Sequence, residues 1–235
     1  MTTIQVLLED SLLQAADRAV RRLKVNRSLS HAGKVVVVAV LAALAWAGAP
    51  VAEAQPPIRI GASVVQTGLG LGQPQRRGYQ LCVKHTNEKG GVLGRKLELV
   101  VYDHGSDAAT AVRFYEKLIT QDKVDLVLGP FSSPITEPVA DVTEKYKMPM
   151  VAPAAAATTI YRKGRKFIFS MQPPAEVQLE GLIDLATKKG LKTVALIHPD
   201  DLFGRAVIKG AIELAKKKGL EVVFVDAYPV GTTDF

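Results

Sequence analysis

The sequence predicts an α/β fold built on parallel sheets that helices cover on both faces. Three observations predict it. From residue 58 onward, short apolar runs rich in Val, Ile and Leu alternate with stretches of helical periodicity. Those runs are close to continuously apolar, as strands buried on both faces are, rather than alternating polar and apolar. A strand–helix–strand cadence of this kind also demands right-handed crossovers, which place successive strands parallel and their helices on the faces of the sheet.

The elements follow in order. IRIGASVV at residues 58–65 reads as a buried strand, and residues 78–89 as a helix that Gly90-Gly91 ends. LELVVY at 97–102 is the second strand. Asp107 then caps a helix in which Ala108, Ala111, Val112, Tyr115, Leu118 and Ile119 recur at helical spacing. DLVLG at 125–129 is a third strand and runs into Pro130. Residues 133–146 form the next helix, MPMVAP at 148–153 the fourth strand, and KFIFSM at 166–171 the fifth. Pro173-Pro174 interrupts the pattern. Beyond it lie a helix at 175–189, a strand at 193–198, a helix at 202–218 and a strand at 221–227. Lys188-Lys189-Gly190-Leu191 and Lys217-Lys218-Gly219-Leu220 close the two helices in the same way: Gly is free to take positive φ, and lysines sit beside the negative helix end. A lobe boundary is expected near Pro173. Gly231-Thr232-Thr233-Asp234-Phe235 then carries the residues that would open another helix, so the second lobe is expected to be incomplete.

The N-terminal part reads differently. VVVVAVLAALAWAGA at 35–49 is an apolar run of fifteen residues behind Lys34, followed by Ala52-Glu53-Ala54. It is shorter than the about 20 residues a membrane span needs. A basic flank, a short apolar stretch and an A-x-A site describe a secretory signal over residues 31–54, cut near Ala54, so the mature product is expected to be periplasmic. Ahead of it, TIQVLLE alternates as a strand, and Asp10 opens a helix with Leu12, Ala15, Ala19 and Leu23 on one face. Residues 1–30 resemble the first half of a ribbon-helix-helix DNA-binding antitoxin. The helix that completes such a dimer is replaced by the export signal, so a mis-assigned start or a gene fusion is the expectation, and no nucleic acid is assigned to the mature chain.

Composition and motifs exclude several classes. With 48% hydrophobic and 23% charged residues the chain is neither disordered nor fibrous, and a net charge of +7 spread along helices is no nucleic-acid footprint. One cysteine, Cys82, excludes an internal disulfide, a Cys-rich zinc site and a CxxC pair. GxxxxGK[ST], HExxH and GxSxG are absent, and His85, His104 and His198 have no metal-ligand spacing, so no catalytic residue, metal or cofactor is assigned. Gly68-Leu69-Gly70-Leu71-Gly72 with Asp103 occupies the place of a dinucleotide fingerprint and its ribose-binding acid. Gln73 stands where the third Gly belongs, which leaves an NAD-type dehydrogenase as a minor alternative. What remains are strand-end loops of small and hydroxyl residues, Gly129-Pro130-Phe131-Ser132-Ser133 and Pro153-Ala154-Ala155-Ala156-Ala157. They stand where open parallel sheets bind ligands.

IRIGASVVQTG, NEKGGVLGRKLELVVYD, GPFSSPITEPVADV, MPMVAPAAA, ALIHPDDLFGRA and the closing GTTDF occur in that order over 178 residues. By these motifs the chain resembles the leucine-binding-protein-like periplasmic solute-binding proteins of branched-chain amino-acid ABC transporters. The resemblance implies two Rossmann-like lobes, residues 55–173 and 174–235, with a small-molecule ligand held between them, no catalysis, and an inner-membrane ABC permease as partner. It also implies ligand-binding roles. Ser133 would hold the ligand carboxylate, Ala155 and Ala156 would lie on the loop that meets its ammonium, and Phe203 would cover it. Ala156 stands where the family usually has Thr, and the family's acidic ammonium partner falls beyond Phe235. The ligand is therefore expected to be an amino acid or an analogue such as an amide or an aromatic carboxylate. An amide- or amino-acid-sensing regulator of the same fold is the alternative.

Overall fold

The structure is a computed structural model and describes residues 55–67 and 72–234. The antitoxin-like head, the export signal and all but Gly72 of the glycine loop lie outside the described residues. Seven strands and five α-helices alternate along the described chain: β1 (Ile58–Val64), α1 (Gly72–Glu88), β2 (Leu97–Asp103), α2 (Ala108–Thr120), β3 (Leu126–Leu128), α3 (Ser133–Tyr146), β4 (Met150–Ala152), β5 (Ile168–Ser170), α4 (Glu180–Lys188), β6 (Thr193–Pro199), α5 (Leu202–Lys217) and β7 (Glu221–Tyr228). Short 3-10 turns stand at Thr158–Ile160 and Ala175–Val177.

Five strands form one parallel sheet in the order β2-β1-β3-β4-β5, and β6 and β7 pair in parallel as a second sheet. The first sheet is doubly wound because side chains alternate along each strand. On β2, Leu99 and Val101 line a cleft with Arg76, Gln80 and Val83 of α1. Tyr102, on the opposite face, stacks on Phe114 of α2 with ring centroids 4.8 Å apart. The main core lies on that second face: Tyr115 and Leu118 of α2, Val139 of α3, Val127 of β3 and Met150 of β4 are all fully buried. Fully burying one such side chain contributes about 1.5–3 kcal/mol.

Two elements differ from the sequence reading. α1 begins at Gly72, six residues before the expected start at 78, and carries Pro74 in its first turn, where a missing N–H costs nothing. Gly72 fits because a Cβ there would stand 2.0 Å from the Val65 carbonyl oxygen. The helix expected at 175–189 is split. Ala175 N–H donates to the Ala156 carbonyl at 2.8 Å, which holds 175–177 as a 3-10 turn, and α4 starts only at Glu180. Elsewhere Asp107 caps α2 through a 2.7 Å bond from Thr110 N–H, and Gly190 and Gly219 take φ of +78° and +77°.

α5 joins the two sheets. Leu202, Phe203, Ala206 and Val207 pack against the core of the first sheet, while Ile208 and Ala211 pack under Leu196 of β6. Gly210 lets α5 lie directly on the 175–177 turn, since a Cβ there would be 1.8 Å from the Glu176 carbonyl oxygen. Among the described residues, no helix is long and apolar enough to cross a membrane.

Candidate ligand-binding site

The C-terminal ends of β1 to β4 face the N-terminal end of α5 across a cavity of about 600 Å³, within the ordinary range for small-molecule sites. Its wall is largely apolar, with Val65, Phe131, Pro134, Ile135, Ala154, Phe203 and Val230 contributing. Three helices begin at it. Ser106 and Ala108 bring the start of α2, residues 132–135 the start of α3, and Asp201 and Phe203 the start of α5. A helix start carries partial positive charge and unpaired N–H groups, so the cavity favours an anion.

The three starts are not equivalent. Asp107 caps α2, and Asp201 caps α5 with a 2.7 Å bond from Gly204 N–H. α3 has no side-chain cap. Its N-cap, Ser132, is held at φ +80°, ψ 146°, a region that a side chain disfavours. Two bonds hold it there: Ser132 N–H donates to the Ala154 carbonyl at 3.0 Å, and Thr136 N–H donates to the Ser132 carbonyl at 3.1 Å. The Ser132 hydroxyl is buried and has no partner among the described residues. Among the described residues the N–H groups of Ser133 and Ile135 likewise have no acceptor. The first turn of α3 therefore leaves unpaired donors at the cavity wall.

Of the four residues singled out from sequence, Ser133 and Phe203 stand on the wall. Ser133 is 1% exposed, and its hydroxyl accepts Ala157 N–H at 3.2 Å, which leaves its own proton to donate. Ala155 and Ala156 are buried behind the wall, and Ala154 reaches it instead. Their carbonyls are engaged: Ala155 O accepts the Tyr161 hydroxyl at 2.6 Å, and Ala156 O accepts Ala175 N–H. Thr158, two residues beyond Ala156, donates its hydroxyl proton to Glu176. Ser132 lies in the strand-end loop that the sequence reading placed at a ligand site, whereas that reading missed Ser106, Gln172, Gln178 and Asp201. Asp201 was recoverable as the N-cap of a readable helix; Gln172 follows strand five in a stretch with no periodicity, and Gln178 falls where the expected helix is broken after the 175–177 turn.

The acid at the end of β2 does other work. Asp103 accepts Gln66 N–H at 2.9 Å, Gly105 N–H at 3.0 Å, and the Thr67 hydroxyl and N–H at 2.8 and 3.1 Å. Burial pulls its carboxyl up, but these bonds together hold it below the usual value, so Asp103 staples the β1–α1 loop. Beside it His104 is 1% exposed with both ring nitrogens unpartnered, and burial lowers its pKa against the opposing pull of Asp103 and Asp107.

The chain is thus an α/β protein of two parallel sheets with a ligand-sized cavity beyond their strand ends. The periplasmic binding protein family profile matches residues 57–235, and the chain belongs to that family. It is 30% identical over 203 residues to the leucine-, isoleucine-, valine-, threonine- and alanine-binding protein of Pseudomonas aeruginosa, covering 83% of this chain and 53% of that protein. It is 27% identical over 170 residues to the Leu/Ile/Val-binding protein of Escherichia coli, covering 70% and 45%. Among solved structures, the branched-chain amino acid transporter substrate-binding protein of Streptococcus pneumoniae in complex with isoleucine superposes with a TM-score of 0.67 at 27% identity, covering 76% of this chain and 51% of that one. The chain thus spans about half the length of these relatives. Those relatives are solute-binding proteins rather than enzymes.

Proposed function

We propose that this protein is the extracytoplasmic solute-binding component of an ABC importer. It captures a small carboxylate-bearing solute of amino-acid size between two lobes, residues 55–173 and 174–235, and presents it to an inner-membrane permease without chemical change. The observation that carries the reading is the uncapped start of α3, open to an apolar cavity between the two sheets. There the carboxylate accepts N–H bonds from the first turn and a hydroxyl proton from Ser133, while Phe203 closes over the apolar body from α5. The secretory signal that the sequence reads at residues 31–54 and membership of the periplasmic binding protein family support an extracytoplasmic place.

The test is a thermal-shift and calorimetric screen of the full chain against small carboxylates, with leucine, isoleucine and valine among them. A ligand present at 100 times its Kd adds about 2.7 kcal/mol of stability and a matching rise in Tm. In the Ser133→Ala variant the affinity falls by about 10–100-fold, because a hydrogen bond to a charged group contributes about 1.5–3 kcal/mol. A screen in which no small carboxylate moves the Tm rejects the reading.

A further inference from the structure

We infer that Gln172 and Gln178 set the specificity of the cavity: their carboxamides meet a neutral polar group of the solute, a hydroxyl or a carboxamide. This rests on the solute-binding reading and deepens it. Both glutamines belong to the crossover that carries the chain from β5 to α4, and both line the cavity. The backbone of this crossover is pinned along its length. Met171 N–H donates to the Ala152 carbonyl at 3.2 Å, and Gln172 N–H to the Ser170 hydroxyl at 3.3 Å. Ala175 N–H donates to the Ala156 carbonyl at 2.8 Å, and Gln178 N–H to the Ala175 carbonyl at 3.2 Å. Pro173 and Pro174 fix φ between these bonds, and α5 lies on the Glu176 backbone at Gly210. A segment held this firmly delivers its side chains to fixed places on the wall.

Those side chains are used unequally. Glu176 accepts the Thr158 hydroxyl and belongs to the packing of the turn. The carboxamides of Gln172 and Gln178 hold no hydrogen bond among the described residues, although the backbone N–H of each does. A largely apolar cavity takes its specificity from the few polar groups on its wall. Of these, the Ser133 hydroxyl holds Ala157 N–H and Asp201 caps α5, while Ser106 and Ser132 offer one hydroxyl each. Each glutamine brings both an acceptor oxygen and a two-proton donor. A hydroxyl or another carboxamide, which donates and accepts, can use both; a carboxylate only accepts and an ammonium only donates, so each uses half. Gln172 also follows β5, two strands from β3 and so about 10 Å along the sheet, on the side away from Ser106 after β2. The polar group of the solute therefore lies on the β5 side of the cavity, beyond the apolar stretch at Phe131 and Ala154.

Pairs of equal shape test this on the full chain by titration calorimetry: threonine against valine, tyrosine against 4-methylphenylalanine, 4-hydroxybenzoate against 4-methylbenzoate, and glutamine against homoleucine. The members of each pair differ by a hydroxyl or carboxamide in place of methyl groups. The polar member is expected to bind at least about tenfold more tightly in one pair or more, and that preference to fall below about threefold in the Gln172→Met, Gln178→Met double variant. Both side chains are exposed, so the variant keeps its fold, which an unchanged Tm verifies. A preference that persists in the double variant overturns the inference, as does a variant that loses both members of the pair equally. Equal or tighter binding of the apolar member in every pair overturns it too and leaves the solute-binding reading standing. Binding of none of the eight rejects the inference, and when the wider carboxylate screen also fails, the solute-binding reading falls with it.

Discussion

Ser132, on the cavity wall, and His104, buried next to Asp103 in the chain, show what single residues carry. Ser132 is held in a backbone region that costs a side-chain-bearing residue about 1–3 kcal/mol, and its buried hydroxyl has no partner among the described residues. Both features are liabilities unless a ligand uses them. Ser132→Gly is expected to raise stability by about 1 kcal/mol in urea unfolding while weakening ligand binding; a variant that is neither more stable nor a poorer binder contradicts this role. His104 is buried, and burial lowers its pKa. A histidine depressed in the folded state contributes fully above its unfolded pKa of about 6.5, and that contribution is lost as pH falls from there toward the folded value, because the unfolded chain takes the proton first. His104→Leu should therefore flatten the decline of the urea midpoint between pH 6.5 and 5, and an unchanged slope would count against it. That Ser133 lines the cavity was legible from its strand-end position in the GPFSSP segment; the strain at Ser132 was not, because the Ala154 carbonyl that imposes it lies 22 positions away.

At the scale of elements, what was legible was what local chemistry decides. Asp107 caps α2 as its position before an apolar-periodic run requires, and the two Lys-Lys-Gly-Leu ends take the positive φ that glycine permits. Where a distant backbone decides, the reading failed. The early start of α1 depends on Gly72 meeting Val65, and the break before α4 depends on Ala156. Two substitutions separate the kinds of control. Asp107→Ala removes one local cap and should cost about 1 kcal/mol, with α2 fraying at Ser106 and Ala108 on the cavity wall. Gly210→Ala drives a Cβ into the Glu176 backbone, which cannot swing aside as a flexible side chain would. It should cost about 3 kcal/mol by overpacking and lift α5 from the 175–177 turn, so Phe203 loses its position and binding falls with stability. Hydrogen exchange at residues 175–177 reads the second effect directly: protection there should drop in Gly210→Ala and hold in Asp107→Ala.

Across the whole molecule the helices do not cover the sheets evenly. Parallel sheets are stable when both faces are buried, yet β6 and β7 carry α4 and α5 on one face and leave Ile197 62% and Phe224 49% exposed. In the first sheet Phe169 and Met171, at the β5 end, are 54% and 70% exposed. β6 and β7 have only each other as hydrogen-bonding neighbours among the described residues, so an unpaired edge adjoins an apolar face. Such a combination recruits other chains. The full chain is therefore expected to bind a hydrophobic dye and to associate with itself as concentration rises. Ile197→Lys with Phe224→Lys should suppress both, at a stability cost within about 0.5 kcal/mol per site because neither side chain is buried. Ligand affinity should stay unchanged in the double variant, since neither residue lines the cavity. Sedimentation velocity across a concentration series decides the matter. A monomer at every concentration that binds no dye shows that these faces are covered in solution, and places their cover outside the described residues.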